Sequence, residues 1–156
     1  MKAAVFSDTH RFTRFVIEAI RRSQPDMIIH LGDHDVDADE LRKVFPEIPV
    51  YNVRGNCDFL TDAPETDVVS IGPVKAFITH GHLYNVKYIG PQRIAYAAAE
   101  AGARIAMFGH THIPMQQEMG DVIVMNPGTA GKGSVLSWAL VEVLDDGTVS
   151  INITEL

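Results

Sequence analysis

Five short apolar runs in this chain each end in a polar cluster, and that repeated junction limits what the chain can fold into. The clusters are Asp8-Thr9-His10, His30-Leu31-Gly32-Asp33-His34, Gly55-Asn56-Cys57-Asp58, His80-Gly81-His82 and Gly109-His110-Thr111-His112. The runs ahead of them, 3–7, 27–31, 50–53, 74–79 and 105–108, have the length of buried strands. Between the first three lie helical patterns. Phe15, Ile17, Ala19 and Ile20 recur at roughly helical spacing from Thr13 to Ser23, and Pro25 stops them. Residues 38–45 form a second, shorter pattern, with Asp35, Asp37 or Asp39 near its start. Strand, helix, strand, helix, strand implies a parallel sheet with right-handed crossovers.

The pattern then changes. Residues 67–71 and 74–79 flank Gly72-Pro73 and predict a hairpin, whose second strand delivers His80. Residues 91–101 predict an alanine-rich helix capped by Gly102, and 105–108 a strand delivering His110. The tail predicts strands at 115–118, 122–125, 137–144 and 148–153, turned at Gly120-Asp121 and Asp145-Asp146-Gly147. The expectation is one α/β domain over residues 1–156 with a mixed second half.

In parallel sheets, ligands bind beyond the carboxyl ends of the strands, where every cluster sits. All 7 histidines lie in or beside these clusters. Imidazoles and carboxylates gathered by a fold suit borderline divalent metals. In Asp8-x-His10 and His110-x-His112, two side chains from one loop can reach one metal or two adjacent ones. Asp33 has two oxygens and can bridge two ions, and Asn56 offers a neutral carbonyl oxygen. Two divalent ions against Asp8 and Asp33 leave a surplus of about +2 for an anionic substrate. That surplus matters because the chain itself is acidic, with formal net charge −7. Its basic residues form no run, which argues against a nucleic-acid footprint.

His30 falls inside an apolar run and is read as a satisfied core group or a support of the ligands rather than a ligand itself, and His34 as surface or site rim. His82 divides between substrate contact and support of the ligands. Arg11 and Arg54 adjoin site loops and are read either as phosphate-binding groups or as solvated charges. The single cysteine, Cys57, excludes an internal disulfide and fits a reducing compartment, so the cytoplasm is the expected location. The first apolar run is too short for a signal peptide, and no run approaches a membrane span. Self-association is left open.

The ordered series Asp8-x-His10, Gly32-Asp33, Gly55-Asn56, His80 and Gly109-His110-x-His112 resembles the calcineurin-like metallophosphoesterases. Asn126-Pro127-Gly128 also resembles a loop of their small bacterial and archaeal phosphodiesterase branch. The resemblance implies a four-layer α-β-β-α sandwich of two mixed sheets. It implies one metal on Asp8, His10 and His112 and another on Asn56, His80 and His110, with Asp33 bridging them. Manganese is the first expectation, and iron, zinc, nickel and cobalt suit the same donors. A metal-bound hydroxide would then attack a small phosphate ester, most readily a diester. Asp33, Asn56 and His82 would carry catalysis, Asp58 would orient His10, and Asn126 would order the loop beneath.

One position departs from the common pattern. Many family members have histidine after the asparagine, where this chain has Cys57, as in the small branch. A thiol substitutes poorly for imidazole as proton donor, which leaves His82 or His34 for that role and makes activated esters the better substrates. A rival reading comes from the scaffold subunit of the retromer sorting complex, which has the same fold with a degraded site. Here every expected ligand position is filled. A dinuclear amide or lactone hydrolase would need a bridging lysine or a His-x-His-x-Asp-His cluster, and neither occurs.

Overall fold

Alternation along the first strand already separates two cores. In the computed structural model, which describes residues 1–156, β1 (Lys2–Phe6) sends Ala3 and Val5 to one side and Ala4 and Phe6 to the other. The elements that follow are α1 (Arg14–Ser23), β2 (Met27–His30), α2 (Asp35–Val44), β3 (Val50–Asn52), β4 (Thr66–Ile71) and β5 (Val74–Thr79). Then come α3 (Val86–Ile89), α4 (Gln92–Glu100), β6 (Ile105–Met107), β7 (Met115–Met119), β8 (Val122–Asn126), β9 (Ser137–Val143) and β10 (Val149–Glu155).

Two mixed five-stranded sheets result, in the orders β10-β9-β1-β2-β3 and β4-β5-β6-β8-β7. β1, β2 and β3 run parallel, as do β5, β6 and β8. Ala3, Val5, Ile29 and Val141 of the first sheet meet Val69, Ile78, Ile105 and Met107 of the second in the central core. The outer face of the first sheet packs Ala4, Phe6, Ile28 and Trp138 against Val16, Ala19 and Ile20 of α1 and Leu41 of α2. Phe6 and Trp138 stack there with ring centroids 5.3 Å apart. The outer face of the second sheet packs Phe77, Ala106 and Val124 against Ile94, Ala95 and Ala98 of α4. These are the four layers α-β-β-α that the resemblance implies. No helix is long and apolar enough to cross a membrane.

The strands match the predicted runs to within a residue or two, and three local details differ. α2 begins at Asp35 rather than at residue 38, because its first N–H groups are capped by a distant carboxylate, Asp58. Past His80 the chain makes a 3₁₀ turn at His82–Tyr84 and then α3, both too short for a periodic signal. At the end of α4, Gly102 lies one residue beyond the cap with φ +67, and Ala103 N–H closes on Ala98 O at 2.8 Å.

Because the central strands of both sheets point the same way, all five polar clusters emerge at one end of the sandwich. Contacts across the sheets tie that end together: His80 Nδ1 lies 2.7 Å from Leu31 O, and His110 N–H donates to Asp8 Oδ2 at 3.0 Å.

Candidate metal centre

Asp8 leaves β1 in the left-handed region, φ +54, fully buried. Its Oδ2 accepts from Ser7 Oγ at 2.6 Å and from His110 N–H, while Oδ1 lies 3.0 Å from His112 Nε2. Burial alone would raise its pKa, but the His112 contact, the charge of His80 and the Ser7 hydroxyl together hold it below the usual value. His10, two residues on, has φ +46. Its Nε2 is buried without a hydrogen-bond partner, 4.0 Å from Asp33 Oδ2.

His80 defines the other half. With Nδ1–H given to Leu31 O, Nε2 presents a lone pair. That lone pair faces Asn56 Oδ1 at 3.2 Å, Asp33 Oδ1 at 3.5 Å and Asp8 Oδ1 at 4.0 Å. Four acceptors then converge, an arrangement that a cation, whether a metal ion or a second proton on Nε2, relieves. The His110 ring stands 4.9 Å from that of His80 and 6.1 Å from that of His82. Burial first, then the charges of His80 and Lys87, push the His110 pKa down to about 4 against the pull of Asp8 and Asp33, so its imidazole is neutral at pH 7. Two groups have ligating atoms all within 4.8 Å of one another: Asp8, His10 and His112, and Asp8, Asp33 and His80. Asp8 is common to both.

Residues 1–146 match the calcineurin-like phosphoesterase superfamily domain. The chain belongs to that superfamily. Probable metallophosphoesterase YsnB of Bacillus subtilis is 32% identical over 132 residues, covering 83% of this chain and 75% of that one. Phosphodiesterase YfcE of Escherichia coli is 30% identical over 111 residues, covering 65% of this chain and 55% of that one. Among solved structures, a conserved predicted phosphoesterase of Streptococcus pneumoniae superposes with a TM-score of 0.77 at 27% identity, over 99% of this chain and 97% of that one. Vps29 of Entamoeba histolytica, solved in complex with zinc, superposes with a TM-score of 0.75 at 22% identity over 99% of both chains, a likeness of fold alone.

Within this phosphoesterase fold, the loops that carry the candidate donors are held by groups of which sequence reasoning singled out only His30. Asp37, buried at the start of α2, accepts from Thr9 Oγ1 at 2.6 Å and from Arg11 N–H at 2.8 Å, on either side of His10. Thr9 in turn receives His30 Nε2–H at 2.9 Å, and His30 Nδ1 accepts from Gly32 N–H at 3.3 Å. Burial lowers the pKa of His30, so this chain of donors runs through a neutral imidazole. Thr129 Oγ1 donates to Asp8 O at 3.0 Å. The only advance signal was a pair of hydroxyl residues around Asp8 and an aspartate where a helix begins. Close packing also demands glycine here: a Cβ on Gly55 would strike the Asp33 carboxylate, and one on Gly109 the Ser7 hydroxyl.

Asp58 requires a correction. Its carboxylate does not orient His10. It accepts from the N–H groups of Gly55 at 2.7 Å, His34 at 2.8 Å, Asp35 at 3.0 Å and Asp33 at 3.1 Å, because the α2 N-terminus offers several unpaired donors. Burial opposes the charge, and those backbone donors outweigh it and lower the Asp58 pKa. Asp58 thereby fastens the Asn56 loop to the Asp33 loop. Cys57 sits between them, its N–H 3.0 Å and its Sγ 3.3 Å from the Asp33 oxygens. Desolvation, then the Asp33 contact, push its thiol up to about 11, so it stays protonated and is no nucleophile.

Asn126 Nδ2 donates to Gly109 O at 2.8 Å and to Thr111 Oγ1 at 3.0 Å, and its Oδ1 accepts from Gly128 N–H, beneath the His110–His112 turn. His82 Nδ1 is buried without a partner, and burial followed by the charge of His80 lowers its pKa. A neutral His82 accepts protons more readily than it gives them. Arg54 pairs with Glu65, and its guanidinium is engaged there. Arg11 is exposed beside His10, and the His34 ring lies 5.0 Å from that of His10.

Proposed function

We propose that this protein is a dinuclear metal-dependent phosphoesterase that prefers diesters. Asp8, His10 and His112 would hold one cation, Asn56, His80 and His110 the other, and Asp33 would serve both. The single observation that carries the reading is the convergence of acceptors on His80 Nε2, next to the unpartnered Nε2 of His10. A pair of divalent cations, when bound, supplies Lewis-acid charge and lowers the pKa of water toward neutrality.

The residues of the chain do the positioning. Leu31 O fixes the tautomer of His80. Ser7 and His110 N–H hold Asp8 Oδ2, leaving Oδ1 toward His112. Cys57 N–H and Sγ–H orient Asp33, and Asp58 sets the distance between the Asp33 and Asn56 loops. His82, with an unpartnered nitrogen beside His110, would contact the substrate phosphate. Burial lowers the pKa of His10, His82 and His110, so leaving groups that need little protonation would react best.

Manganese is the metal to test first. Metal analysis of the purified protein, with bis(p-nitrophenyl) phosphate and p-nitrophenyl phosphate assayed before and after chelation, tests the reading. Turnover of the diester that chelation abolishes and manganese restores is expected. A metal-loaded protein inert toward both esters overturns it. The likeness to Vps29 concerns fold only, and the filled series of donor positions in the sequence favours an enzyme over a scaffold.

A further inference from the structure

His30 is fully buried at the end of β2, and the proposed chemistry gives it no part. The β1–β2 register sets it opposite Phe6, at the last paired position before both strands release their loops. Alternation puts it on the outer face of the sheet with Ile28, toward α2. Its hydrogen bonds have one consistent direction. An ionised Asp37 can only accept, so the Thr9 hydroxyl, 2.6 Å away, gives its proton there. Thr9 Oγ1 then offers only lone pairs to His30 Nε2 at 2.9 Å, which makes Nε2 the protonated nitrogen. Nδ1 is left as an acceptor, and Gly32 N–H fills it at 3.3 Å. The imidazole thus joins Thr9, between Asp8 and His10, to Gly32, which precedes Asp33.

The segment it holds is in contact with much of the proposed centre. Leu31 N–H bonds Phe6 O at 2.8 Å, and Leu31 O receives His80 Nδ1–H at 2.7 Å. Gly32 O receives Asp8 N–H at 3.1 Å, and Asp33 N–H goes to Asp58 Oδ2 at 3.1 Å. Gly32 is closely packed: a Cβ there would stand 2.8 Å from Gly55 N and 2.9 Å from His80 Nδ1. Asp8, Asp33 and His80 are therefore referred to one short stretch of backbone, and His30 supplies the partner of its remaining N–H. Without Nδ1 that N–H is buried and unpaired, and the stretch must shift to satisfy it. Packing alone would need neither ring nitrogen.

We propose that His30 is a positioning residue for the metal centre, locking the His10 loop to the Leu31–Asp33 segment so that ligands from three loops keep one mutual geometry. The inference deepens the phosphoesterase reading and rests on it for the cations.

Two measurements on the full chain test it. The first needs no metal: long-range proton–nitrogen spectra of the chelated protein at neutral pH should show His30 as the Nε2–H tautomer. An Nδ1–H tautomer overturns the relay. The second reads manganese binding by calorimetry and by electron paramagnetic resonance. His30→Gln keeps a donor near Nε2 but lacks the Gly32 acceptor. His30→Asn keeps an acceptor near Nδ1 but falls short of Thr9. His30→Leu fills the space with neither. Each should bind manganese about tenfold more weakly than the wild type, and the signal of isolated ions should grow at the expense of the coupled pair. Thr9→Ser, which keeps the hydroxyl, should stay near wild type, while Thr9→Val should behave like the His30 variants. If the His30 variants do not fold, the two Thr9 variants decide alone, since valine has the shape of threonine. Wild-type affinity in His30→Leu or in Thr9→Val, whatever the melting temperature, overturns the inference and leaves a core histidine. Wild-type protein that takes up no manganese sinks the metal reading and this inference with it. Manganese affinity that depends on His30, without turnover of either ester, sinks the phosphoesterase reading alone.

Discussion

The two ends of the sandwich solve the same backbone problem differently. At the far end, left-handed positions fall mostly on glycine: Gly72 at φ +58, Gly102 at +67, Gly120 at +61 and Gly147 at +83. At the near end glycine serves as well, at Gly32, Gly81 and Gly128, but Asp8, His10, Arg11, Asp33, His34, His110 and His112 join it, which is seven of the nine non-glycine residues with positive φ. A side chain in that region costs about 1–2 kcal/mol per residue. The far end chooses residues for the turn. The near end keeps residues for their donors and offsets the strain with the hydrogen bonds of Asp37, Asp58, Asn126 and Thr129.

The largest effect should come from the residue both proposed cations share. Asp33→Asn should cut kcat/KM by a factor on the order of 10³ and reduce bound metal, read by elemental analysis beside kinetics. Unchanged turnover would remove Asp33 from the centre. A smaller loss should follow Asp37→Asn, which weakens the clamp on either side of His10 without touching a ligand. Metal affinity should fall about 10- to 100-fold, and excess manganese should restore most activity. If affinity holds, the near-end strain is supported by something else.

Acid should expose the same difference in the chelated protein. The pKa of His110 is depressed to about 4 by burial and by neighbouring positive charge, and those of His10, His30 and His82 are depressed as well. The unfolded chain then binds more protons between pH 4 and 6.5 than the native one. Stability is therefore complete above about pH 6.5 and is lost as pH falls toward 4. A Tm flat across that window would contradict it. The lowered pKa of Asp8 extends the loss further into acid. The smallest effect belongs to the far end. Gly120→Ala, where an added Cβ meets no atom within 4 Å, should cost only the left-handed penalty, about 1 kcal/mol, and leave kcat/KM alone. Lost activity there would mean the ends are coupled.

Much of this was legible in the sequence because strands and ligands leave short-range marks. Apolar runs closing on Asp8, Asp33, Asn56, His80 and His110 marked where the strands end and which side chains are candidate donors. Asp37 and Asp58 were not legible as clamps. Each is an aspartate near a helix start or loop, and apart from Gly55 its partners lie more than twenty residues away along the chain. His82 gave only half its character. Its type was clear, but its unpartnered nitrogen follows from a 3₁₀ turn with no periodic signal.

The sequence by itself determined the layered α/β architecture and which side chains are available for chemistry, since periodicity and residue type are local properties. Tertiary structure alone decided that Asp8 stands between both donor groups and that Asp58 joins two loops through backbone N–H groups. Those facts depend on how parallel strands from two sheets bring distant loops to one edge, and no local pattern encodes that distance.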